Sequence, residues 1–321
     1  MRTILLDFEP GTLSEAQLAQ VQALAPDMRI LVTRDRDEIE SALDEIEIAA
    51  GGFPRDLLPR ARNLRWLQQW GAGADWLLRH PEAVELDFVL TNASGVHPIP
   101  ISEHILAFLL AFARGFHRAM RAQARHEWFS YDQQKGLFEL VGKTMLLIGV
   151  GAIGERTARV ATALGMRVLG VRRNPERDAP GVEAMFGPDQ LLYLLPEADF
   201  VVLTVPLTRE TQGMIGEREL RAMKPTAYLV NIGRGGTIQE SALIRALRER
   251  WIAGAGLDVF ETEPLPDDSP LWDMDNVIIT AHYAGSTPRY HERAMAIFLD
   301  NLRRYRAGEP LRNVVDKRLG Y

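Results

Sequence analysis

The chain contains no cysteine. That absence removes disulfides, thiolate metal sites and a thiol nucleophile, while leaving the compartment unassigned. Long apolar runs are also missing. The longest, Ile105 to Ala113, covers nine residues, well short of the roughly 20 that a helix needs to cross a bilayer. Nor is there a positive excess: 37 Lys and Arg against 43 Asp and Glu leave a net charge of −6, which argues against general nucleic-acid affinity. Met1-Arg-Thr-Ile-Leu-Leu reads as a first strand, not a signal peptide, so the cytoplasm is the default location and no membrane is expected. No internal repeat or low-complexity segment interrupts the chain. At 321 residues, with 46% hydrophobic and 25% charged content, it has the make-up of a soluble globular protein long enough for two cores.

What is present centres on Lys143 to Arg173. Thr144–Ile148 is a short apolar run that reads as a buried strand. Gly149-Val-Gly151-Ala-Ile-Gly154 follows, then a helical stretch carrying Ala158, Ala161 and Leu164, then a second strand over Arg167–Val171. Strand, glycine turn, helix and strand within about thirty residues is the context that a dinucleotide fingerprint requires. Gly149 makes the tight turn, Gly151 leaves a pyrophosphate unobstructed, and Gly154 lets the helix lie close to the sheet. The helix N-terminus offers unpaired N–H groups to phosphate. A strand of this kind normally ends in Asp or Glu, which repels a 2′-phosphate. Here Arg172 and Arg173 stand at that end, and two guanidiniums suit a phosphate dianion by charge and geometry. NADP(H) is therefore expected over NAD(H).

Residues 1 to about 98 alternate strand candidates (Thr3–Phe8, Arg29–Val32, Glu47–Ala50, Leu64–Gln68, Phe88–Leu90) with helical stretches (Ser14–Leu24, Arg36–Leu43, Asp56–Arg60). That alternation predicts a parallel sheet with helices on both faces. Ligands gather at the carboxyl ends of such strands. Two loops lie there: Gly51-Gly52-Phe53-Pro54, with Phe53 as one pocket wall, and Trp70-Gly71-Ala72-Gly73, whose amides can form a nest for a carboxylate. A long apolar helix is expected from Ile99 to about Arg125, capped by Ser102 and buried between domains or in a dimer. His104, His117 and His126 read as packing or surface residues, and Trp128, Phe129 and Tyr131 as further oligomer contacts. Beyond Arg173, strands are expected at Asp199–Val205, Thr226–Ile232, Gly256–Val259 and Asn276–Thr280. Helices are expected at Leu191–Leu195, 240–250 and Glu292–Tyr305.

Arg234, Glu263 and His282 each fall just past a strand of the second half. They suit hydride transfer to a 2-oxo acid. Arg provides planar paired donors for the substrate. The carbonyl oxygen gains charge as hydride arrives and needs a proton donor, a role His fills near neutral pH. A carboxylate beside the ring favours its protonated form and holds its tautomer.

With these residues in place the chain resembles the D-isomer-specific 2-hydroxyacid dehydrogenase family. The matching stretches are Gly149–Gly154, Val205-Pro-Leu-Thr208, Asn231-Ile-Gly-Arg-Gly235, Gly256-Leu-Asp-Val-Phe-Glu-Thr-Glu-Pro264 and Thr280-Ala-His-Tyr-Ala-Gly285. They cover the second half closely, in the family's order, and the first half more loosely. The resemblance implies an α/β protein of two doubly wound parallel-sheet domains. The flavodoxin-like substrate domain would take 1–98 plus 289–321 and the Rossmann dinucleotide-binding domain 99–288, with the active site in the cleft between them and a homodimer built around the long helix. It implies that His282 is the general acid/base, that Glu263 orients it, and that Arg234 and His282 bind substrate with Gly71, Ala72 and Gly73. Cofactor contacts are expected at Gly149, Gly151, Ala152, Ile153, Gly154, Arg172, Arg173, Val205, Pro206, Ile232 and Asp258. No metal is expected.

Departures narrow the expectation. Arg172 in place of an acid resembles the NADP-preferring glyoxylate/hydroxypyruvate reductase branch. Glu263 argues against formate dehydrogenases, which carry Gln there, and a chain ending at residue 321 disfavours the longer phosphoglycerate dehydrogenases. The expected activity is reduction of a small 2-oxo acid to a D-2-hydroxy acid. The alternatives are an NAD-dependent dehydrogenase of a bulkier hydroxy acid and, from another class, a non-catalytic nucleotide-sensing binding protein.

Overall fold

A computed structural model describes residues 2–130 and 132–321. Met1, placed above at the start of the first strand run, and Tyr131, expected at an oligomer contact, lie outside the described residues. The chain divides into two compact units, one running through Val96 and taking back Thr287–Tyr321, the other His97–Ser286.

The first unit alternates β1 (Thr3–Asp7), α1 (Glu15–Leu24), β2 (Arg29–Val32), α2 (Arg36–Ala42), β3 (Ile46–Gly51), β4 (Trp66–Gln69) and β5 (Val89–Thr91). Ser14 starts α1 through a capping box, its Oγ accepting from the Gln17 N–H while its own N–H donates to Gln17 Oε1. Asp35 caps α2 by accepting from the Glu38 N–H at 3.0 Å. The strands pair in the order β2-β1-β3-β4-β5, parallel throughout. A parallel sheet must be covered on both faces, and β1 and β4 are buried along their whole length. The C-terminal helix supplies part of that cover, stacking Phe298 on Trp66 at 5.4 Å between ring centroids. The expected helix at Asp56–Arg60 is instead a 3-10 turn, Arg55–Arg60. Pro59 lies inside it and lacks the N–H that an α-helix would need.

The second unit opens with α3 (Pro98–Ala113) and α4 (Phe116–Ala124), followed by β6 (Thr144–Ile148), α5 (Ala152–Ala163), β7 (Arg167–Val171) and β8 (Ala184–Phe186). Next come α6 (Leu191–Leu194), β9 (Phe200–Leu203), α7 (Glu217–Ala222), β10 (Tyr228–Asn231), α8 (Glu240–Arg248), β11 (Gly254–Leu257) and β12 (Val277–Ile279). The C-terminal helix, α9 (Tyr290–Ala307), belongs to the first unit. The seven strands run parallel in the order β12-β11-β10-β9-β6-β7-β8, so strand order reverses between β6 and β9. That reversal opens the crevice where dinucleotides settle in a sheet of this type.

The single helix expected from Ile99 to Arg125 is two helices meeting at 73°. Gly115 sits at the break with φ +67°, the left-handed backbone that glycine adopts without penalty. Ser102 does not cap α3. It lies inside the helix, its Oγ donating to the Ile99 carbonyl, and Pro98 occupies the first turn instead. The apolar stripe of Ile101, Ile105, Phe108, Leu109 and Phe112 packs in the second unit's own core, so its burial needs neither a domain interface nor a dimer. Exposed apolar area does remain at Phe116, Met120 and Trp128, which are 56%, 66% and 90% accessible. Among the described residues no single helix is long and apolar enough to cross a membrane.

Candidate active site

The glycine turn after β6 is built by close approach. Gly149 has φ +98°, and a Cβ there would lie 2.8 Å from Val205 Cγ1. A Cβ on Gly154 would stand 2.5 Å from the Gly149 carbonyl oxygen, which is why α5 can start so near the strand. Gly151 differs: a Cβ there would meet nothing within 4 Å. Its missing side chain leaves open space in front of the first turn of α5, where Ala152 is also exposed. The residues therefore fit a dinucleotide pyrophosphate.

Arg172 and Arg173 follow β7, with different tasks. The Arg172 guanidinium donates to three main-chain carbonyls, Asn174 at 2.7 Å, Arg177 at 2.6 Å and Val150 at 3.1 Å, and so ties the 172–177 turn to the glycine loop. Arg173 is exposed and ion-paired with Glu210. Val205 lies between Gly149 and Gly233, whose absent Cβ leaves room for the Val205 carbonyl. Pro206 is exposed beside it, and Ile153 is half-buried. The Ile232 side chain is in the core, leaving only its main chain to face a ligand.

Asp258 follows β11 and is 1% exposed. Its carboxylate accepts from Thr280 Oγ1 at 2.6 Å, from the Tyr283 N–H at 3.1 Å and from the Ala284 N–H at 3.0 Å, while its main-chain carbonyl accepts from the His282 N–H at 2.8 Å. Asp258, expected at the cofactor, thus builds the 280–284 turn with both of its carboxylate oxygens. That turn holds His282 at φ +53°. His104 closes the network from α3, its Nε2 2.9 Å from Thr280 Oγ1. Burial lowers the pKa of His104 below the usual histidine range, against the opposing pull of Asp258.

Held this way, His282 turns Nδ1 to Glu263 Oε2 at 2.7 Å. The other Glu263 oxygen accepts from the Phe260 N–H at 2.9 Å, so the carboxylate cannot swing. The His282 side chain is 48% exposed. Arg234 lies on the neighbouring loop after β10, its Nη1 donating to the Gly233 carbonyl at 2.8 Å. A Cβ on Gly235 would overlap the Phe260 carbonyl group, so only glycine lets the Arg234 loop press against the loop that carries Glu263.

In the first unit, Phe53 proves not to be a pocket wall. It is fully buried in the hydrophobic core and has no surface to offer. Gly71, Ala72 and Gly73 form the expected loop, half-buried. Gln69 Nε2 donates to the carbonyls of Gly71 and Gly73, and Asn92 Nδ2 to that of Ala72 at 2.8 Å. Since C=O and N–H point opposite ways in a trans peptide, anchoring those carbonyls turns the amides of Ala72, Gly73 and Ala74 the other way. Neither Gln69 nor Asn92 stood out in the sequence. Their side chains answer their own backbone, and no spacing rule marks that.

Residues 106–284 match the family model described as the NAD binding domain of D-isomer specific 2-hydroxyacid dehydrogenases. The chain belongs to the D-isomer-specific 2-hydroxyacid dehydrogenase family. A glyoxylate reductase of Korarchaeum cryptofilum is 36% identical over 91% of this chain and 87% of its own. Among solved structures, a 2-hydroxyacid dehydrogenase from Xanthobacter autotrophicus Py2 in complex with NADPH superposes with a TM-score of 0.85 at 30% identity, covering 100% of this chain and 99% of that one. An NADPH-dependent glyoxylate/hydroxypyruvate reductase from Sinorhizobium meliloti, in complex with NADP and sulfate, gives 0.85 at 28% identity over the whole of both chains. This 2-hydroxyacid dehydrogenase thus has the two-sheet α/β fold of its family, with an NAD(P)-binding domain.

In this dehydrogenase the Asp258 network carries a cost that can be measured. Replacing Asp258 with Ala strips a buried turn of three hydrogen bonds to a charged group and should lower stability by about 2–4 kcal/mol. Chemical denaturation reads the loss. A decrease under about 1 kcal/mol would mean that the turn holds itself.

Proposed function

We propose that this enzyme is an NADPH-dependent reductase of small 2-oxo acids, of the glyoxylate and hydroxypyruvate type, that yields D-2-hydroxy acids. The observation that carries the reading is the His282–Glu263 pair at 2.7 Å, on a half-exposed ring held beside the Arg234 loop. When bound, a reduced nicotinamide dinucleotide supplies a hydride. The chain's own residues do the rest. Glu263 accepts from Nδ1 and so orients the ring, which leaves Nε2 as the atom that passes a proton to the substrate. That proton goes to the substrate oxygen as its carbonyl carbon is reduced. In the second unit Arg234 offers an anionic substrate a fixed cation, and in the first unit the amides of Ala72, Gly73 and Ala74 offer a nest that suits a carboxylate.

NADPH over NADH is supported by the missing acid after β7, by the exposed Arg173 next to that position, and by the cofactors named in the two structural relatives. Arg172 supports it indirectly, because it shapes the turn.

The test is the oxidation of NADPH by glyoxylate and hydroxypyruvate, in wild type and in His282→Ala. The variant should lose about 100-fold to 10,000-fold in kcat, the usual contribution of a positioned general acid. Near-full turnover would remove His282 from the role. For the cofactor, Arg173→Gln should raise the KM for NADPH about fivefold more than that for NADH, a modest factor because the side chain is exposed. Equal changes for the two cofactors would end the phosphate argument.

A further inference from the structure

The first unit carries a cation that the proposed reaction leaves unused. Its strand order reverses between β1 and β3, and such a reversal opens a ligand crevice beyond the strand ends. Asp7 ends β1 and Gly51 ends β3, paired in register. Gly51 has φ +112°, and a Cβ there would lie 2.6 Å from the Asp7 carbonyl oxygen. Gly52, next to it, is exposed, so neither residue places a side chain over the crevice.

Arg55 follows three residues after Gly52. Its guanidinium lies 4.2 Å over the Trp76 ring, and its Nη1 is buried with no hydrogen-bond partner. The nearby carboxylates are committed elsewhere. Asp56 is bonded to Arg36 at 2.5 Å, and Asp7 pairs with Arg34 at 3.6 Å, acting on Arg55 only through space. Burial pushes the Arg55 pKa down to about 10, against the pull of Asp7, so the group stays charged at neutral pH. A buried charged donor left unmade costs stability unless an acceptor arrives. The loop proposed to hold the substrate carboxylate is close by: Trp76 Nε1 donates to Gln69 Oε1 at 2.6 Å, and Gln69 Nε2 holds the Gly71 and Gly73 carbonyls. Arg55 therefore stands one indole and one amide from that loop.

We propose that Arg55 forms a second oxyanion subsite, which receives a second anionic group, carboxylate or phosphate, at the far end of the 2-oxo acid. The substrate's own carboxylate already has donors assigned in the Gly71–Gly73 loop, and a further cation suits a further anion. Calling the ligand a substrate rests on the reductase reading. The anion site does not.

Two measurements separate those claims. In steady-state kinetics, the ratio of kcat/KM for 2-oxoglutarate over 2-oxobutyrate should fall on the order of tenfold to a hundredfold in Arg55→Met, the effect expected for one charge-assisted contact, and recover in part in Arg55→Lys. An unchanged ratio overturns the subsite. Thermal unfolding reads the site without turnover: malonate or 2-phosphoglycolate, against acetate at matched ionic strength, should raise the Tm of the wild-type chain. A shift with malonate assigns the site to a carboxylate, and a shift with 2-phosphoglycolate alone assigns it to a phosphate. Arg55→Met should abolish the shift. If neither dianion outdoes acetate on the wild type, the proposal fails whatever the variants do, and whether or not the chain reduces 2-oxo acids.

Discussion

The carboxylate of Asp258 holds the turn on which the candidate chemistry depends. His282 adopts a left-handed backbone, φ +53°, which costs a side-chain-bearing residue roughly 1–2 kcal/mol. Three hydrogen bonds from Thr280, Tyr283 and Ala284 converge on the buried carboxylate. Together they contribute about 2–4 kcal/mol, which outweighs that strain. The balance fixes where the imidazole goes. With the backbone pinned on both sides of residue 282, Nδ1 meets Glu263 and the ring stays half-exposed.

The same logic of close approach runs through the neighbouring loops. Val205 fits between Gly149 and Gly233, and Phe260 fits against Gly235. A side chain at any of these glycines would push a catalytic or cofactor loop off its strand end. Phe260 also gives its N–H to Glu263. The Arg234 loop and the histidine's partner are thereby positioned by one stretch of backbone, and the site is stiff because the packing leaves no slack.

Much of this was legible in the sequence, for a physical reason. Glycine at Gly149, Gly151 and Gly154 and polar residues after buried strands leave marks of fixed spacing, so the fingerprint, the parallel order and the His282–Glu263 pairing could be read before the fold. Other features left no such mark. Phe53 looked available in a glycine-rich loop, yet tertiary packing buried it. Asp258 sat in a family stretch, but its part in holding the His282 turn depends on residues 280–284, which lie beyond the next strand. The break at Gly115 was hidden because apolar periodicity continues across it, and β8 is a half-buried strand at the sheet edge, where no fully buried run is required. Arg55 gave no signal at all: a buried Nη1 without a hydrogen-bond partner exists only once Trp76 folds under it.

The central claim is that His282 and Glu263 act as one unit. A double-mutant cycle on kcat/KM, with His282→Gln, Glu263→Gln and the pair combined, measures that coupling directly. If the carboxylate works only through the imidazole, the double variant will be no slower than His282→Gln alone. Losses that simply multiply would show two independent groups and contradict the account.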